Sequence, residues 1–83
     1  MDKFTKFILE GIEENINEAF TFAKQIKGKE NKTEILNTEF HLGKYFALIE
    51  VLEQIDFDLF MEVYKANKET VNILMLSVNR LYE

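Results

Sequence analysis

The sequence predicts an all-α protein, an antiparallel up-down-up bundle of three long helices, and its composition and periodicity both support that prediction. The chain of 83 residues contains no proline, so no residue in it obliges a helix to break. Apolar residues make up 47% of it, and in three segments they recur at spacings of three and four. We therefore expect a single helical domain, 1–83, with above about 80% of its residues in helices, against a base rate near one third.

The first segment, from about residue 2 to residue 27, has the apolar stripe of an amphipathic helix. Gly28 is expected to be its C-cap, since glycine tolerates the conformation that ends helices. Lys24 and Lys27 would then lie at the negative end of the helix dipole. The stripe comprises Phe4, Ile8, Leu9, Ile12, Ile16, Ala19, Phe20, Phe22, Ala23 and Ile26.

A second helix is predicted after a short polar connection, with Asn31 or Thr33 as its N-cap and its end near Gln54. Its apolar residues form two stripes, which indicates two neighbouring helices and a central position in the bundle. One stripe contains Ile35, Leu42, Phe46 and Ile49, and the other contains Leu36, Phe40, Gly43, Ala47 and Val51.

Asp56 is the predicted N-cap of the third helix, because its short carboxylate can accept hydrogen bonds from the next turn of backbone. The sequence leaves open whether the helix is continuous through the polar stretch 66–68. The alternative architecture is a hairpin of the first two helices with a third helix that docks on a second copy. The predicted heptad seam of the third helix is Phe60, Tyr64, Asn67, Val71, Leu74, Val78 and Leu81.

Two side-chain pairings follow from antiparallel packing of these helices. A turn centred near residues 30 and 31 would place Ala19 beside Gly43, and two small residues there would let the backbones approach closely. Pairing the second and third helices about residue 56 would place Asn67 opposite Tyr45, whose hydroxyl can serve as a partner for a buried amide.

The residues that catalysis and metal binding need are scarce. The chain has no cysteine and one histidine, His41. Its nearest glutamate, Glu39, is two residues away and therefore on another face of a helix, so no Glu-x-x-His metal motif is present. Ser77 has no base near it in sequence, and no glycine-rich nucleotide loop occurs. We expect a non-enzymatic protein with no cofactor or metal, in which His41 is structural or merely exposed.

The charge pattern argues against nucleic-acid binding. The net charge is −5, whereas phosphate recognition normally requires a basic footprint. The lysines at positions 24, 27, 29 and 32 cluster at the first connection, but no aromatic residue or arginine lies among them. A helix-turn-helix-like nucleic-acid-binding accessory protein remains the alternative function, and its basic recognition helix is missing.

Acidic residues recur along predicted helix faces. Glu10, Glu14 and Glu18 form a row at spacings of four, and Glu50 and Glu53 lie one turn apart. Paired carboxylates can divide acid and base roles or hold a metal, but charge runs are usually solvated faces. The row is expected to be solvated surface, with a docking strip for a basic partner as the alternative.

The third helix has more apolar residues than one neighbouring helix can cover. Phe57, Phe60, Met61 and Tyr64 share one side of it, and a contiguous apolar excess marks an interaction surface. The alternative is a thicker core. We predict a small protein-interaction module that binds a protein of unknown identity through these four residues. Self-association as a homodimer through the third helix is the first form expected, because closed two-fold dimers are the commonest way to bury such a surface.

The apolar runs are too short for a membrane span of about 20 residues, and the N-terminal segment lacks the features of a signal peptide. We therefore expect a cytoplasmic protein that does not bind membranes. In size, acidity and helical design it resembles small accessory proteins of bacterial mobile elements and phages, including immunity and inhibitor proteins. This resemblance rests on those general properties and on no residue motif.

Overall fold

A computed structural model describes residues 1–79, and these form three α-helices and no strand. Helix α1 spans Lys3–Ala23, α2 spans Lys32–Ile55 and α3 spans Phe57–Asn79. About 86% of the described residues are helical, which confirms the predicted all-α bundle of three long helices. The bundle is elongated, with extents of 43 × 19 × 15 Å. The predicted seam residue Leu81 lies outside the described residues.

Helix α1 begins with a side-chain cap and ends earlier than the sequence predicted. The carboxylate of Asp2 accepts a hydrogen bond from the backbone N–H of Thr5 at 2.6 Å, and this bond lowers the pKa of Asp2. The helix ends at Ala23, four residues before the predicted end. Gly28 is therefore not the C-cap. It lies in the connection between α1 and α2, and its φ is not positive.

Asn31 occupies the N-cap position of α2, as predicted, but its side chain does not cap that helix. Its Oδ1 instead accepts hydrogen bonds from the backbone N–H groups of Lys27, at 2.9 Å, and Gly28, at 3.2 Å. The Asn31 side chain therefore stabilises the connection rather than the first turn of α2, because both N–H groups precede it in the chain.

The junction between α2 and α3 is a single residue, Asp56. Its Oδ1 accepts from the backbone N–H of Leu59 at 3.1 Å, which confirms the predicted N-cap. Helix α3 continues through residues 66–68 without a break. The amide nitrogen of Asn67 donates to the carbonyl of Val63 at 2.9 Å, so it is used within its own helix rather than with the predicted partner, Tyr45. An amide one turn along a helix reaches its own backbone more directly than it reaches a neighbouring helix.

Helix α2 is the central helix, as predicted, because it packs against both α1 and α3 while those two contact each other only slightly. All three helices contribute to one core, and its most enclosed large side chains include those of Ile12, Tyr45, Leu52 and Leu74. The buried core residues are Ile8, Ile12, Ile16, Ala19, Leu42, Tyr45, Ile49, Leu52, Val71 and Leu74.

The register between α1 and α2 differs from the predicted one. Gly43 does not meet Ala19, because nothing lies within 4 Å of the position that a Gly43 Cβ would occupy. The glycine at the helix contact is Gly11, where an added Cβ would lie 2.9 Å from Cδ1 of Leu48. The early end of α1 explains the shift, since the centre of the connection moves from residues 30 and 31 to residues 27 and 28.

The second apolar stripe of α2 is largely exposed, contrary to the prediction that a second neighbour covers it. Leu36 and Phe40 are 61% and 59% exposed, and Gly43 and Ala47 are exposed as well. Both neighbours of α2 contact its other side. On α1, Phe4 and Phe20 are likewise exposed, so neither belongs to the core stripe in which the sequence placed it.

Candidate protein-binding surface

The two halves of α3 differ in how deeply they are buried. Its three buried residues are Val71, Leu74 and Val78, all in the C-terminal half. No residue from 57 to 70 is fully buried. The N-terminal half of α3 is thus attached to the bundle by partly exposed side chains, and it contains the four residues predicted to bind a partner.

The rings of Phe57, Phe60 and Tyr64 form a continuous row, which we call the aromatic strip. The centroids of Phe57 and Phe60 are 5.8 Å apart, and those of Phe60 and Tyr64 are 5.7 Å apart. Phe57 is 59% exposed and Tyr64 is 39% exposed, whereas Phe60 is half-buried and packs against the core. The middle ring therefore fixes the position of two rings that face solvent.

Met61, the fourth predicted residue, is half-buried on the same part of α3. It follows Phe57 by one helical turn, which places the two side chains on the same flank. The structure thus groups the four predicted residues in one region of α3.

The aromatic strip continues toward α2 through a pair of tyrosines. Burial raises the pKa of the Tyr45 hydroxyl, and the nearby Tyr64 raises it further. Phe46 follows Tyr45 on α2, and their rings meet edge to face with centroids 5.2 Å apart. Phe46 is itself exposed. The sequence pattern assigned Phe46 to a buried stripe of α2. That stripe covers a wider arc of the helix than the structure buries.

His41 has a structural role in the packing of α1 on α2. Its Nδ1 lies 2.7 Å from Oδ1 of Asn15, and the amide of Asn15 donates to the carbonyl of Gly11 at 2.8 Å. With Oδ1 as the acceptor, His41 donates through Nδ1. The imidazole also stacks on Phe22, with centroids 5.8 Å apart, and meets the edge of Phe40 at 5.2 Å.

The predicted acidic positions Glu10, Glu14, Glu18, Glu50 and Glu53 are all exposed. Among residues 1–79, no group of three histidine, aspartate or glutamate side chains is arranged to hold a metal ion. The exposure of these carboxylates agrees with the predicted solvated faces.

A groove between α1 and α3 was not foreseen from the sequence. Its volume is about 370 Å³, and it is lined by Leu9, Ile12, Glu13, Ile16, Asn17, Val63 and Asn67. We call it the α1–α3 groove. Helix α3 packs mainly against α2 and contacts α1 only slightly, so space remains between α1 and α3. No single-helix pattern contains this signal, since each wall belongs to a different helix.

Comparisons with known protein families, with curated proteins and with solved structures give no match to this chain. None of the helices described here combines the length and the apolar character needed to cross a membrane. The surface of the bundle itself is therefore what indicates a function.

Proposed function

We propose that this protein is a small non-enzymatic interaction module, a regulator, inhibitor or immunity-type protein that acts by occupying the surface of a partner protein. The observation that supports the proposal is the aromatic strip, in which Phe57 and Tyr64 face solvent on either side of the anchored Phe60. Aromatic side chains bury about 150–250 Å² each and dominate the energetics of interfaces.

The strip is well suited to binding because it is already ordered in the free protein. It lies on a continuous helix, so binding immobilises little backbone. Met61 adds a flexible side chain that can adapt to an irregular partner surface. The exposed carboxylates of Asp58 and Glu62 lie on the same segment of α3 and keep the surface hydrated when it has no partner.

The first partner we propose is a second copy of the chain, in a two-fold homodimer through α3. In such a dimer the same patch on both protomers faces itself, and the strip would cover its counterpart. The alternative is a different protein in the cytoplasm, the reducing compartment with which a chain lacking cysteine is compatible.

Sedimentation equilibrium at micromolar concentration tests the proposal. We expect the wild type to dimerise and the double variant Phe57→Ser with Tyr64→Ser to sediment as a monomer of 9.8 kDa. The matched control is Leu36→Ser with Phe40→Ser, which removes two apolar side chains of α2 that are at least as exposed as Phe57 and Tyr64 and should remain dimeric.

A monomeric wild type discards the homodimer, and the strip is then tested on proteins captured from the native host. Capture that requires Phe57 and Tyr64 but not Leu36 and Phe40 supports a different partner. Association that survives loss of the strip, whether with itself or with another protein, contradicts the proposed surface.

A further inference from the structure

The α1–α3 groove has an apolar floor that is part of the protein core. Ile12 and Ile16 are buried, and Leu9 and Val63 are partly buried against the same core. A floor made of core residues cannot move away without loosening the bundle. The groove is therefore a stable feature onto which apolar side chains can dock.

One wall of this groove is acidic. Glu13 and Asn17 line the groove and also belong to an adjacent shallow surface formed with Glu10, Glu14 and Glu18. All four glutamates are exposed. Carboxylates at spacings of three and four repel one another by a few tenths of a kcal/mol per pair, so a cation placed beside them would relieve an existing repulsion.

The opposite wall is formed by α3 and carries no charge. It consists of Val63 and Asn67. The amide nitrogen of Asn67 is used within α3, which leaves its Oδ1 as an acceptor. An occupant of the groove thus meets an apolar floor, an anionic wall on α1 and a neutral acceptor on α3.

We infer that the α1–α3 groove binds a basic amphipathic helix of a partner protein. Its apolar stripe would lie on the partly exposed side chains of Leu9 and Val63, above the buried Ile12 and Ile16. Its lysines or arginines would lie against Glu10, Glu13 and Glu14. The inference rests on the proposed function, since it names the chemistry of a partner for the same interaction module. A groove between two helices accepts a third one through anchors at spacings of three and four, and the occupant would complete a four-helix arrangement.

Charge decides between this occupant and the others that an apolar groove can hold. Nucleic acid and anionic membrane surfaces would be repelled by the row of glutamates and by the net charge of −5. A second copy of the chain carries the same negative charge. A cationic helix gains attraction from the wall and loses none of the apolar contacts on the floor.

The test uses a synthetic peptide of leucine and lysine, about 18 residues or five helical turns long, with leucine on one face. A scrambled peptide of the same composition is the comparison, and fluorescence anisotropy measures both affinities. We expect the amphipathic peptide to bind at least about tenfold more tightly than the scrambled one, because only it presents a continuous apolar stripe. Methyl NMR shifts should appear at Leu9, Ile12, Ile16 and Val63.

The chain offers a closely matched pair of variants for the acidic wall. Glu10→Gln with Glu13→Gln removes two carboxylates three residues apart beside the groove, and Glu50→Gln with Glu53→Gln removes two with the same spacing on α2. Both variants change the net charge equally. Two exposed ion pairs together contribute about 0.4–2 kcal/mol, so the first variant should weaken peptide binding by about two- to thirtyfold, and the second should leave it within about twofold.

Three results would overturn the groove as the site. They are equal binding of the scrambled peptide, equal weakening by both double variants, and methyl shifts confined to other parts of the protein. Loss of peptide binding in Phe57→Ser with Tyr64→Ser would place the peptide on the aromatic strip, which rejects the groove but supports the proposed function. Absence of peptide binding together with strip-dependent association rejects the groove alone. Absence of both rejects the proposed function as well.

Discussion

The interface between α1 and α2 and the N-terminal half of α3 represent two different uses of helical surface. In the first, α1 and α2 each bury six residues, Gly11 admits the side chain of Leu48, and Asn15 and His41 join the helices by a hydrogen bond. In the second, residues 57–70 include no fully buried side chain, and aromatic rings face solvent. The hairpin of α1 and α2 therefore contains most of the buried residues, whereas the first half of α3 contains none.

This difference separates stability from binding in the sequence of a single helix. Val71, Leu74 and Val78 attach α3 to the bundle from its C-terminal half, so its N-terminal half can carry exposed aromatic residues without being the main source of docking energy. Substitutions in the two halves should therefore affect different measurements.

The largest effect is expected from matched leucine truncations in the two halves of α3. Leu74 is 1% exposed, so Leu74→Ala should lower the free energy of unfolding by about 2–5 kcal/mol through lost burial and the cavity left behind. Leu59→Ala removes the same atoms from a half-buried site and should cost clearly less. Urea denaturation followed by circular dichroism measures both, and equal costs would remove the distinction between the halves.

The hydrogen bond between α1 and α2 should contribute measurably to stability. Asn15→Ala leaves the Nδ1–H of the partly buried His41 without its acceptor, and an unsatisfied group of this kind costs about 1–3 kcal/mol. A double-mutant cycle with His41→Ala isolates the coupling between the two side chains. A coupling energy of zero would mean that the contact does not hold the hairpin together.

The two mid-helix glycines should respond differently to the same substitution. Gly43→Ala should raise the free energy of unfolding by about 0.5–1 kcal/mol, since alanine favours the helix and the added methyl group meets open space. Gly11→Ala should gain less, because its methyl group would lie 2.9 Å from Cδ1 of Leu48 and that side chain must shift. Thermal melts of both variants test the register, and the reverse order would restore the pairing of Gly43 with α1.

Alkaline titration tests how closely the first half of α3 lies against α2. Burial, with a further contribution from Tyr64, raises the pKa of Tyr45, so the folded state holds this phenolic proton more tightly than the unfolded chain does. The resulting stabilisation of the folded state is complete below the unfolded pKa of about 10 and is lost as the pH rises through the folded pKa. Tyr45→Phe should therefore lose less stability than the wild type above that pH, as monitored by circular dichroism.

A control variant separates burial from the influence of Tyr64 as causes of the raised pKa of Tyr45. Tyr64→Phe removes the second one and should bring the ultraviolet absorbance titration of Tyr45 closer to the ordinary tyrosine range. An unchanged titration would show that Tyr64 lies too far from Tyr45 to influence it.

The smallest effect on stability is expected at the exposed end of the aromatic strip. Phe57 is largely exposed, so Phe57→Ser should change the free energy of unfolding by no more than about 0.5 kcal/mol, as surface substitutions usually do. Its effect should instead be seen in association. A destabilisation comparable to that of Leu74→Ala would mean that Phe57 belongs to the fold rather than to a binding surface.

Local patterns predicted the elements of this fold well. The three long helices, the N-cap at Asp56 and the burial of Val71, Leu74 and Val78 each depend on patterns of a few neighbouring residues, and the structure confirms them. The four residues of the predicted binding surface also lie together, because helical periodicity alone decides which side chains share a flank. That they bind a partner stays a prediction.

The pairing of α1 with α2 depends on where α1 ends, and the sequence did not predict that end correctly. Lys24 and Lys27 look like the end of α1, and Gly28 looks like its cap, yet the helix ends at Ala23 and Asn31 organises the connection through its side chain. A change of four residues in one boundary moves every contact across the hairpin. Asn15 consequently meets His41, while Gly43 lies on the exposed side of α2.

Three long helices, and the residue at which the third begins, follow from local propensity, capping and periodicity along the sequence. Which stripe of α2 is covered, and how little α3 contacts α1, depend on how the helices pack, and so does the groove with an acidic wall between α1 and α3. An apolar stripe indicates which face of a helix is buried but not which helix covers it. The neighbour is determined by the lengths of the connections and by the packing of side chains.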